Sequence, residues 1–220
     1  MNERPILFSG PMVRAILAGR KTMTRRVVKP QPPDWCRDAG ISALTPPCHW
    51  EFRGNYQEHG PASKFIRCHF LPASETRLWV RESFSAWFQG IHWYAYKGIR
   101  DDVAADNVFY RATHNYPDDD QKWVPSIHMP RWASRITLDV TAVRVERLQQ
   151  ITQEDAIAEG LIKLPATGRA VLTDGAQYFG NCWSSPRAGF RELWNEINGK
   201  RGFPWDANPW VWVVKFKRGE

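Results

Sequence analysis

Ser9-Gly-Pro-Met-Val-Arg-Ala-Ile-Leu-Ala-Gly-Arg-Lys-Thr-Met-Thr-Arg-Arg26 is the stretch from which the fold of this chain can be worked out. Pro11 suits the first turn of a helix, because its missing N–H would have no partner there, and Ser9 or Gly10 can cap that turn. The apolar residues that follow have the spacing of one helix face: Met12, Val13, Ile16 and Leu17. This spacing predicts a short helix that is buried on one side. Gly19 can adopt the left-handed conformation that ends a helix.

The segment around this helix is strongly basic. Between Arg4 and Pro33 there is no acidic residue, whereas seven residues are basic: Arg4, Arg14, Arg20, Lys21, Arg25, Arg26 and Lys29. The whole chain has 30 Lys and Arg against 23 Asp and Glu, so these seven charges equal its net charge of +7. A basic patch that is concentrated in one segment predicts an anionic partner.

Length and composition are those of a globular protein. A length of 220 residues suits one domain with elaborations or two small domains, and we predict a single domain over residues 1–220. The 12 tryptophans are expected to lie mainly in the core. No stretch approaches the roughly 20 apolar residues of a membrane span, and the N-terminus lacks the pattern of a signal peptide. We therefore expect a cytoplasmic, monomeric protein without membrane contact.

The cysteines do not suggest a metal site. The four of them lie far apart, at Cys36, Cys48, Cys68 and Cys182. Cys48-His49 and Cys68-His69 lack the ligand pairs, two to four residues apart, that structural zinc sites use. Reduced thiols are the expectation in a cytoplasmic protein, and we predict neither a metal nor another cofactor.

Short apolar or alternating runs predict a protein that is rich in strands. The predicted strands lie at 5–8, 50–53, 77–84, 92–97, 108–112, 135–148 and 210–216. In the longest of them the apolar parity changes near Thr141-Ala142, which predicts a bulge or a sharp bend. The segments 30–74 and 163–183 are predicted to be long, largely irregular insertions, and the first is a candidate lid.

Two further helices are predicted in the C-terminal half. Thr152 caps the first, with Asp155 three residues later, and Gly160 ends it. Ser185 precedes the second, Gly199 ends it, and its apolar stripe consists of Phe190, Leu193, Trp194 and Ile197. The chain is thus predicted to have several strands and a few helices, and one of the strands is long and bent. This combination favours an α+β fold built on a small curled or closed β-barrel.

Three stretches carry a resemblance to a known family: Gly19-Arg-Lys-Thr-Met-Thr-Arg-Arg26, Arg77-Leu-Trp-Val-Arg-Glu82 and Glu154-Asp-Ala-Ile-Ala-Glu-Gly160. Together they resemble the ASCH domain family, and the chain is similar to its longer branch in bacteriophages and prophages. The resemblance implies a small PUA-like β-barrel flanked by a few short helices, with two long loop insertions at about 30–74 and 163–183. Many members have a Pro-Gly-Asp turn where this chain has Pro72-Ala-Ser-Glu75, so no role is transferred to that turn.

The resemblance also implies a function. The family is regarded as nucleic-acid-interacting, and one compact bacterial branch removes the acyl group from N4-acetylcytidine. Its lysine, threonine and glutamate correspond to Lys21, Thr24 and Glu159. This implies a metal-independent amide hydrolase that acts on a modified cytidine or related nucleoside. A non-catalytic module that binds RNA or modified bases is the alternative, and a ribonuclease is a third possibility.

The chemistry of these three residues is consistent with hydrolysis. A lysine acts as a base only when desolvation or like charges lower its pKa from about 10.4. Thr24 would carry the nucleophilic hydroxyl or orient a water, and Glu159 would pass a proton to the leaving amine. The alternatives stay open: Lys21 as a phosphate contact, Thr24 as a strand residue, Glu159 as a solvated helix residue. A carboxylate in the last turn of a helix opposes the dipole, so Glu159 needs a basic partner, Lys21 or Arg81.

The remaining candidates are expected to bind the ligand, a nucleoside or single-stranded RNA. They are basic or polar residues near the predicted site: Arg20, Thr22, Arg25, Arg26, Arg81, Glu82, His128 and Arg131. Four aromatic residues are candidates either for stacking a base or for the core: Trp79, Trp93, Tyr110 and Trp132.

Overall fold

A computed structural model describes residues 2–41, 49–54, 63–67, 76–88, 91–92, 108–114, 122–173 and 182–219. Its strands are β1 (Asn2–Leu7), β2 (Met23–Val27), β3 (Cys36–Ile41), β4 (His49–Gly54), β5 (Ser63–Arg67), β6 (Thr76–Arg81), β7 (Phe84–Phe88), β8 (Ile91–His92), β9 (Val108–Tyr110), β10 (Thr137–Arg147), β11 (Ile162–Lys163), β12 (Ala170–Val171) and β13 (Trp210–Arg218). Its α-helices are α1 (Gly10–Leu17), α2 (Gln153–Ala158) and α3 (Pro186–Asn198). The mixed α+β class, with mostly strands and a few short helices, is confirmed.

A five-stranded sheet with the order β1-β6-β10-β13-β2 forms the centre of the molecule. β1 and β6 are parallel, and the other neighbours are antiparallel. Among the described strands no ladder joins the outer strands β1 and β2, so a closed barrel is not confirmed. A side chain connects them instead: Arg26 on β2 donates from Nη2 to the carbonyl oxygen of Leu7 at 2.7 Å.

The bulge predicted in the long strand is confirmed. The pairing of β10 with β13 shifts between Val140, which lies opposite Phe216, and Ala142, which lies opposite Lys215. Beyond the bulge, β10 continues along β13 to Arg147. β10 therefore pairs with β6 before the bulge and with β13 on both sides of it.

The described residues within 30–74 are less irregular than predicted. Residues 36–41, 49–54 and 63–67 form a three-stranded antiparallel sheet, β3-β4-β5, and the strand expected at 50–53 lies in β4. Phe52 is fully buried, with its ring centroid 5.3 Å from that of Trp210, and Trp50 lies 5.8 Å from Trp212. These strands are short, and their burial depends on partners more than 150 residues away, which is why the local pattern did not predict them.

β13 separates two hydrophobic cores. Its residues Trp210, Trp212, Val214 and Phe216 pack with β1, α1 and the β3-β4-β5 sheet. Val211 and Val213 point to the other face and pack with α2 and α3. Both faces of the strand are covered, which agrees with its almost continuously apolar sequence.

The described residues of the second predicted insertion also contain regular structure. β11 and β12 form a small hairpin, and Ala170 bridges to Trp183 next to α3. Along α3, Phe190, Leu193 and Trp194 are buried as expected, but Ile197 is 49% exposed. The α-helix ends at Asn198 with Gly199 as its C-cap, as predicted. A 3₁₀ turn, Gly199–Arg201, follows directly, and a left-handed Gly202 ends that turn. No helix in the described ranges is long and apolar enough to cross a bilayer.

The first two helices have the predicted ends. α1 begins after Ser9 with Pro11 in its first turn, and Gly19 follows it with φ +71°. Thr152 caps α2 by accepting a hydrogen bond from the backbone N–H of Asp155 at 3.1 Å. Gly160 follows α2 with φ +111°. Both glycines flank the residues of the candidate site, since Lys21 comes two residues after one and Glu159 directly before the other.

We expect Gly160→Ala to destabilise the fold more than Gly19→Ala. A Cβ at Gly160 would lie 3.1 Å from Cβ of Ala15 and 3.4 Å from Cβ of Lys21, on a backbone that L residues rarely adopt. A Cβ at Gly19 would meet no atom within 4 Å. Strain and overpacking together predict a loss of about 3 kcal/mol at Gly160, against about 1–2 kcal/mol at Gly19. Urea denaturation measures both, and equal losses would contradict the close packing at Gly160.

Candidate functional site

A cavity of about 550 Å³ lies between the end of β1, strand β2, the end of α2 and helix α3. Five of the predicted site residues line it: Lys21, Thr24, Arg25, Arg26 and Glu159. Large apolar side chains form much of the remaining wall: Phe8, Leu161, Phe190, Leu193, Trp194 and Phe203. The cavity thus combines an apolar wall with a group of ionisable side chains.

Lys21 and Glu159 form a buried ion pair in this cavity, and each residue is only 4% exposed. Nζ of Lys21 donates to Oε2 of Glu159 at 2.7 Å, to the carbonyl oxygen of Glu159 at 2.7 Å and to that of Met23 at 2.8 Å. The backbone brings them together, because the N–H of Thr22 donates to the carbonyl oxygen of Ala158 at 2.9 Å. The prediction that Lys21 and Glu159 share a pocket is confirmed.

The environment of Lys21 favours a neutral amine more than water does. Burial lowers the pKa of Lys21, and the positive charges of Arg26 and Arg25 lower it further, whereas Glu159 acts in the opposite direction. The net effect is a pKa below the ordinary value for lysine. Nζ of Lys21 therefore loses a proton more readily here than it would in water.

Thr24 presents an unused hydroxyl to the cavity. It lies on β2 opposite Val214 and is 4% exposed. Within the described part of the chain its hydroxyl makes no hydrogen bond. A threonine in a strand needs no hydrogen bond from its side chain, so this hydroxyl is free to bind a ligand or to react.

Arg25 is held by carboxylates of the chain itself. Its side chain is fully buried, and Nη2 lies 2.6 Å from both Oε1 of Glu146 and Oδ2 of Asp155. Nη1 lies 3.4 Å from Oε1 of Glu159, and Arg144 pairs with the carboxylates of Glu146 and Asp155. Arg25 lines the cavity and its guanidinium is also held by three carboxylates of the chain, so its ligand contact stays a prediction.

These side chains form one charge network, with three cations and three carboxylates: Lys21, Arg25, Arg144, Glu146, Asp155 and Glu159. The network connects the start of β2 with β10 and α2. Its formal charges balance, which is the condition under which ionised groups are tolerated inside a protein.

The mouth of the cavity is cationic. It is lined by Arg26, Lys29 and Arg201, which we call the cationic mouth. The guanidinium of Arg26 lies 5.3 Å from the ring centroid of Phe8, and Nζ of Lys29 lies 5.3 Å from that of Phe203. Lys29 was noted as part of the basic segment but not chosen as a site residue, and no local signal pointed to Arg201.

An apolar rim surrounds the same opening. Leu7, Ile127 and Ile197 are 41%, 58% and 49% exposed, and all three line the cavity. Large apolar side chains that are exposed next to a cavity mark a surface which a ligand covers.

Three predicted residues near the basic segment lie outside this cavity. Arg20 donates to the carbonyl oxygen of Gly160 at 3.1 Å, which fixes the end of α2. Thr22 is exposed and is not among the lining residues. Arg81 donates to the carbonyl oxygens of Met129 and Ile127, so it stabilises a loop and is not the partner of Glu159.

Glu82 lines a separate cavity of about 350 Å³. It is 1% exposed, and its carboxylate accepts two hydrogen bonds from Arg135, at 2.9 and 3.0 Å. Burial raises the pKa of Glu82, and Arg135 acts in the opposite direction. Glu82 is thus paired with Arg135 and lies outside the first cavity, so its ligand contact stays a prediction.

His128 and Arg131 are exposed and line neither cavity. Arg131 forms a two-point ion pair with Glu3, at 2.7 and 3.1 Å. Of the aromatic candidates, Trp79 is half-buried between the guanidinium groups of Arg81 and Arg131. The hydroxyl of Tyr110 donates to the carbonyl oxygen of Ala133, Trp132 is half-buried, and Trp93 lies outside the described residues.

The cysteine–histidine pairs cannot be placed. Cys48, Cys68 and His69 lie outside the described residues, as does the side chain of His49. Within the described ranges no group of three His, Cys, Asp or Glu side chains is arranged to hold a metal ion.

Comparison of the chain with protein-family models, with curated proteins and with solved structures found no match. The resemblance to ASCH domains therefore stays a prediction, and the function must be argued from the cavity itself.

Proposed function

We propose that this chain is an ASCH-type protein with a PUA-like fold that binds a modified nucleoside and hydrolyses its amide without a metal. The observation that carries this proposal is the buried Lys21–Glu159 pair, which shares its cavity with the unbonded hydroxyl of Thr24. A base, a proton donor and a nucleophile are the three groups that amide hydrolysis requires.

The size and the walls of the cavity suit a nucleoside. A volume of about 550 Å³ lies within the range of small-molecule sites, about 300–1,000 Å³. Phe8, Phe190 and Trp194 provide flat apolar surfaces for a base. Apart from Arg201, the ionisable groups that line the cavity lie on or beside β2 and at the end of α2, which would orient the ligand.

The proposed reaction begins with a proton transfer inside the ion pair, from Nζ of Lys21 to Oε2 of Glu159. The neutral amine then takes the proton of the Thr24 hydroxyl while its oxygen bonds to the acyl carbon. The bond from that carbon to the exocyclic nitrogen breaks, and Glu159 gives its proton to the leaving amine. Lys21 and Glu159 have then returned to their starting charges. Water hydrolyses the Thr24 ester, which releases the carboxylic acid and restores the Thr24 hydroxyl.

A non-catalytic reader of modified bases is the second candidate, and one observation favours it. All three N–H positions of a protonated Lys21 have acceptors: two carbonyl oxygens and the Glu159 carboxylate. A fully bonded ammonium can serve a structural role alone. In that case the cavity would bind a nucleoside, and the Thr24 hydroxyl would only contact it.

Incubation with a panel of nucleosides tests the proposal. The panel contains N4-acetylcytidine, other N4-acylated cytidines and N4-methylcytidine, and products are followed by mass spectrometry. We expect the acylated nucleosides to be converted to cytidine, and N4-methylcytidine to stay intact because it has no amide bond. Binding of the acylated nucleosides without any conversion would favour the reader. If the protein binds none of the nucleosides in the panel, both functions are refuted.

A further inference from the structure

The cationic mouth has no anion of its own. Within the described residues the only carboxylate that lines the cavity is Glu159, and it is bonded to Lys21 and Arg25. Lys29 and Arg201 make no ion pair in the described part of the chain. Three positive charges thus line one opening, and the single carboxylate among the described lining residues, Glu159, already pairs with Lys21 and Arg25 in the balanced network behind them.

Among the three cations of the mouth, Arg26 has a buried N–H group that no hydrogen-bond acceptor among the described residues satisfies. Its Nη2 is bonded to the carbonyl oxygen of Leu7, but its Nε is buried and has no hydrogen-bond partner. Burial lowers the pKa of Arg26, the carboxylate of Glu159 acts in the opposite direction, and the positive charge of Arg201 lowers the pKa further. A buried N–H on a charged group is rarely left unpaired, because its desolvation is not compensated.

We infer that Arg26, Lys29 and Arg201 bind a phosphate group, so that the ligand of this cavity is a nucleotide and not a free nucleoside. The assignment of the base and sugar to the cavity rests on the proposed function, whereas the phosphate site rests on the unpaired cations. Guanidinium groups bind phosphate oxygens with paired, charge-assisted hydrogen bonds. The apolar rim of Leu7, Ile127 and Ile197 would contact the uncharged parts of the same ligand.

Two sources of phosphate fit this chemistry. A mononucleotide presents a terminal phosphate, and RNA presents the phosphodiester that follows the bound base. Cytidine, cytidine 5′-monophosphate and the dinucleotide CpC without terminal phosphate separate these sources, and inorganic phosphate tests the anion site alone. We expect at least one of the two phosphate-bearing probes to bind about 10-fold or more tightly than cytidine.

Arg201→Gln and Lys200→Gln form a matched pair of variants for this test. The two residues are adjacent and exposed, but only Arg201 lines the cavity. Arg201 makes no ion pair among the described residues, so its replacement should not affect folding. We expect Arg201→Gln to reduce the affinity for the favoured phosphate-bearing probe about 10-fold and to leave cytidine binding unchanged. Lys200→Gln should change neither affinity by more than about 2-fold.

The inference is overturned if neither phosphate-bearing probe binds more tightly than cytidine. It is also overturned if Arg201→Gln and Lys200→Gln weaken the binding of the favoured phosphate-bearing probe equally. Its failure is separate from failure of the proposed hydrolysis. If N4-acetylcytidine is converted but a phosphate group does not increase the affinity, the phosphate site is refuted and the proposed hydrolysis stands. If inorganic phosphate and a nucleotide bind in an Arg201-dependent way but no acylated nucleoside is converted, the hydrolysis is refuted and the phosphate site stands.

Discussion

Replacement of Arg25 by methionine is expected to lower the free energy of unfolding by about 3–5 kcal/mol. The side chain of Arg25 is fully buried and contacts the carboxylates of Glu146, Asp155 and Glu159. Methionine fills much of the same space but leaves these carboxylates with too little positive charge. A buried charge that loses its partner keeps its desolvation cost, and this cost is the main source of the expected loss.

Guanidinium denaturation of the wild type, Arg25→Met and Arg131→Met measures this effect. Arg131 is the matched control, because it also forms a two-point pair with a glutamate, but its side chain is 42% exposed. An exposed pair contributes about 1 kcal/mol or less. If Arg25→Met costs no more than Arg131→Met, the charge network is not the structural centre that we describe.

The sequence predicted those parts of the fold that depend on interactions between residues close together in the chain. Pro11 and Gly19 marked the ends of α1, and the change of apolar parity at Thr141-Ala142 marked the bulge in β10. The sheet within 30–74 was not predicted, because Phe52 packs on Trp210 and Trp212, which lie more than 150 residues later in the chain. Such long-range packing leaves no periodic pattern in the segment itself.

The same distinction applies to the candidate site. The pairing of Lys21 with Glu159 was predicted, because a carboxylate at the end of a helix needs a cation and the resemblance offered Lys21. Arg25 was assigned to the ligand, because its partners Glu146 and Asp155 lie 121 and 130 residues away. Arg201 was missed for the same reason: only the tertiary fold places it at the mouth of a cavity on β2.

Thr24→Val is expected to reduce the hydrolysis of acylated cytidine by at least about 100-fold. Valine has nearly the shape of threonine and favours strands, and the Thr24 hydroxyl makes no hydrogen bond within the described residues. The substitution therefore removes the nucleophile without breaking an interaction of the fold. Substitution of Lys21 would be less informative, because it would also break a buried ion pair.

Two measurements distinguish the loss of the nucleophile from a loss of stability or of ligand binding in Thr24→Val. Thermal unfolding of Thr24→Val should match or exceed that of the wild type, since no hydrogen bond is lost. Its affinity for cytidine should stay within a few-fold. Thr141→Val is the matched control, because Thr141 lies on a strand, is exposed and does not line the cavity.

The most direct test of the central claim is one time course of N4-acetylcytidine with the wild type, Thr24→Val and Thr141→Val. Cytidine and acetate are quantified together, because hydrolysis must release them in equal amounts. The account predicts equal rates for the wild type and Thr141→Val, and release by Thr24→Val that is at least about 100-fold slower. Release by Thr24→Val at the wild-type rate would contradict the assignment of the Lys21–Glu159–Thr24 cavity as the active site.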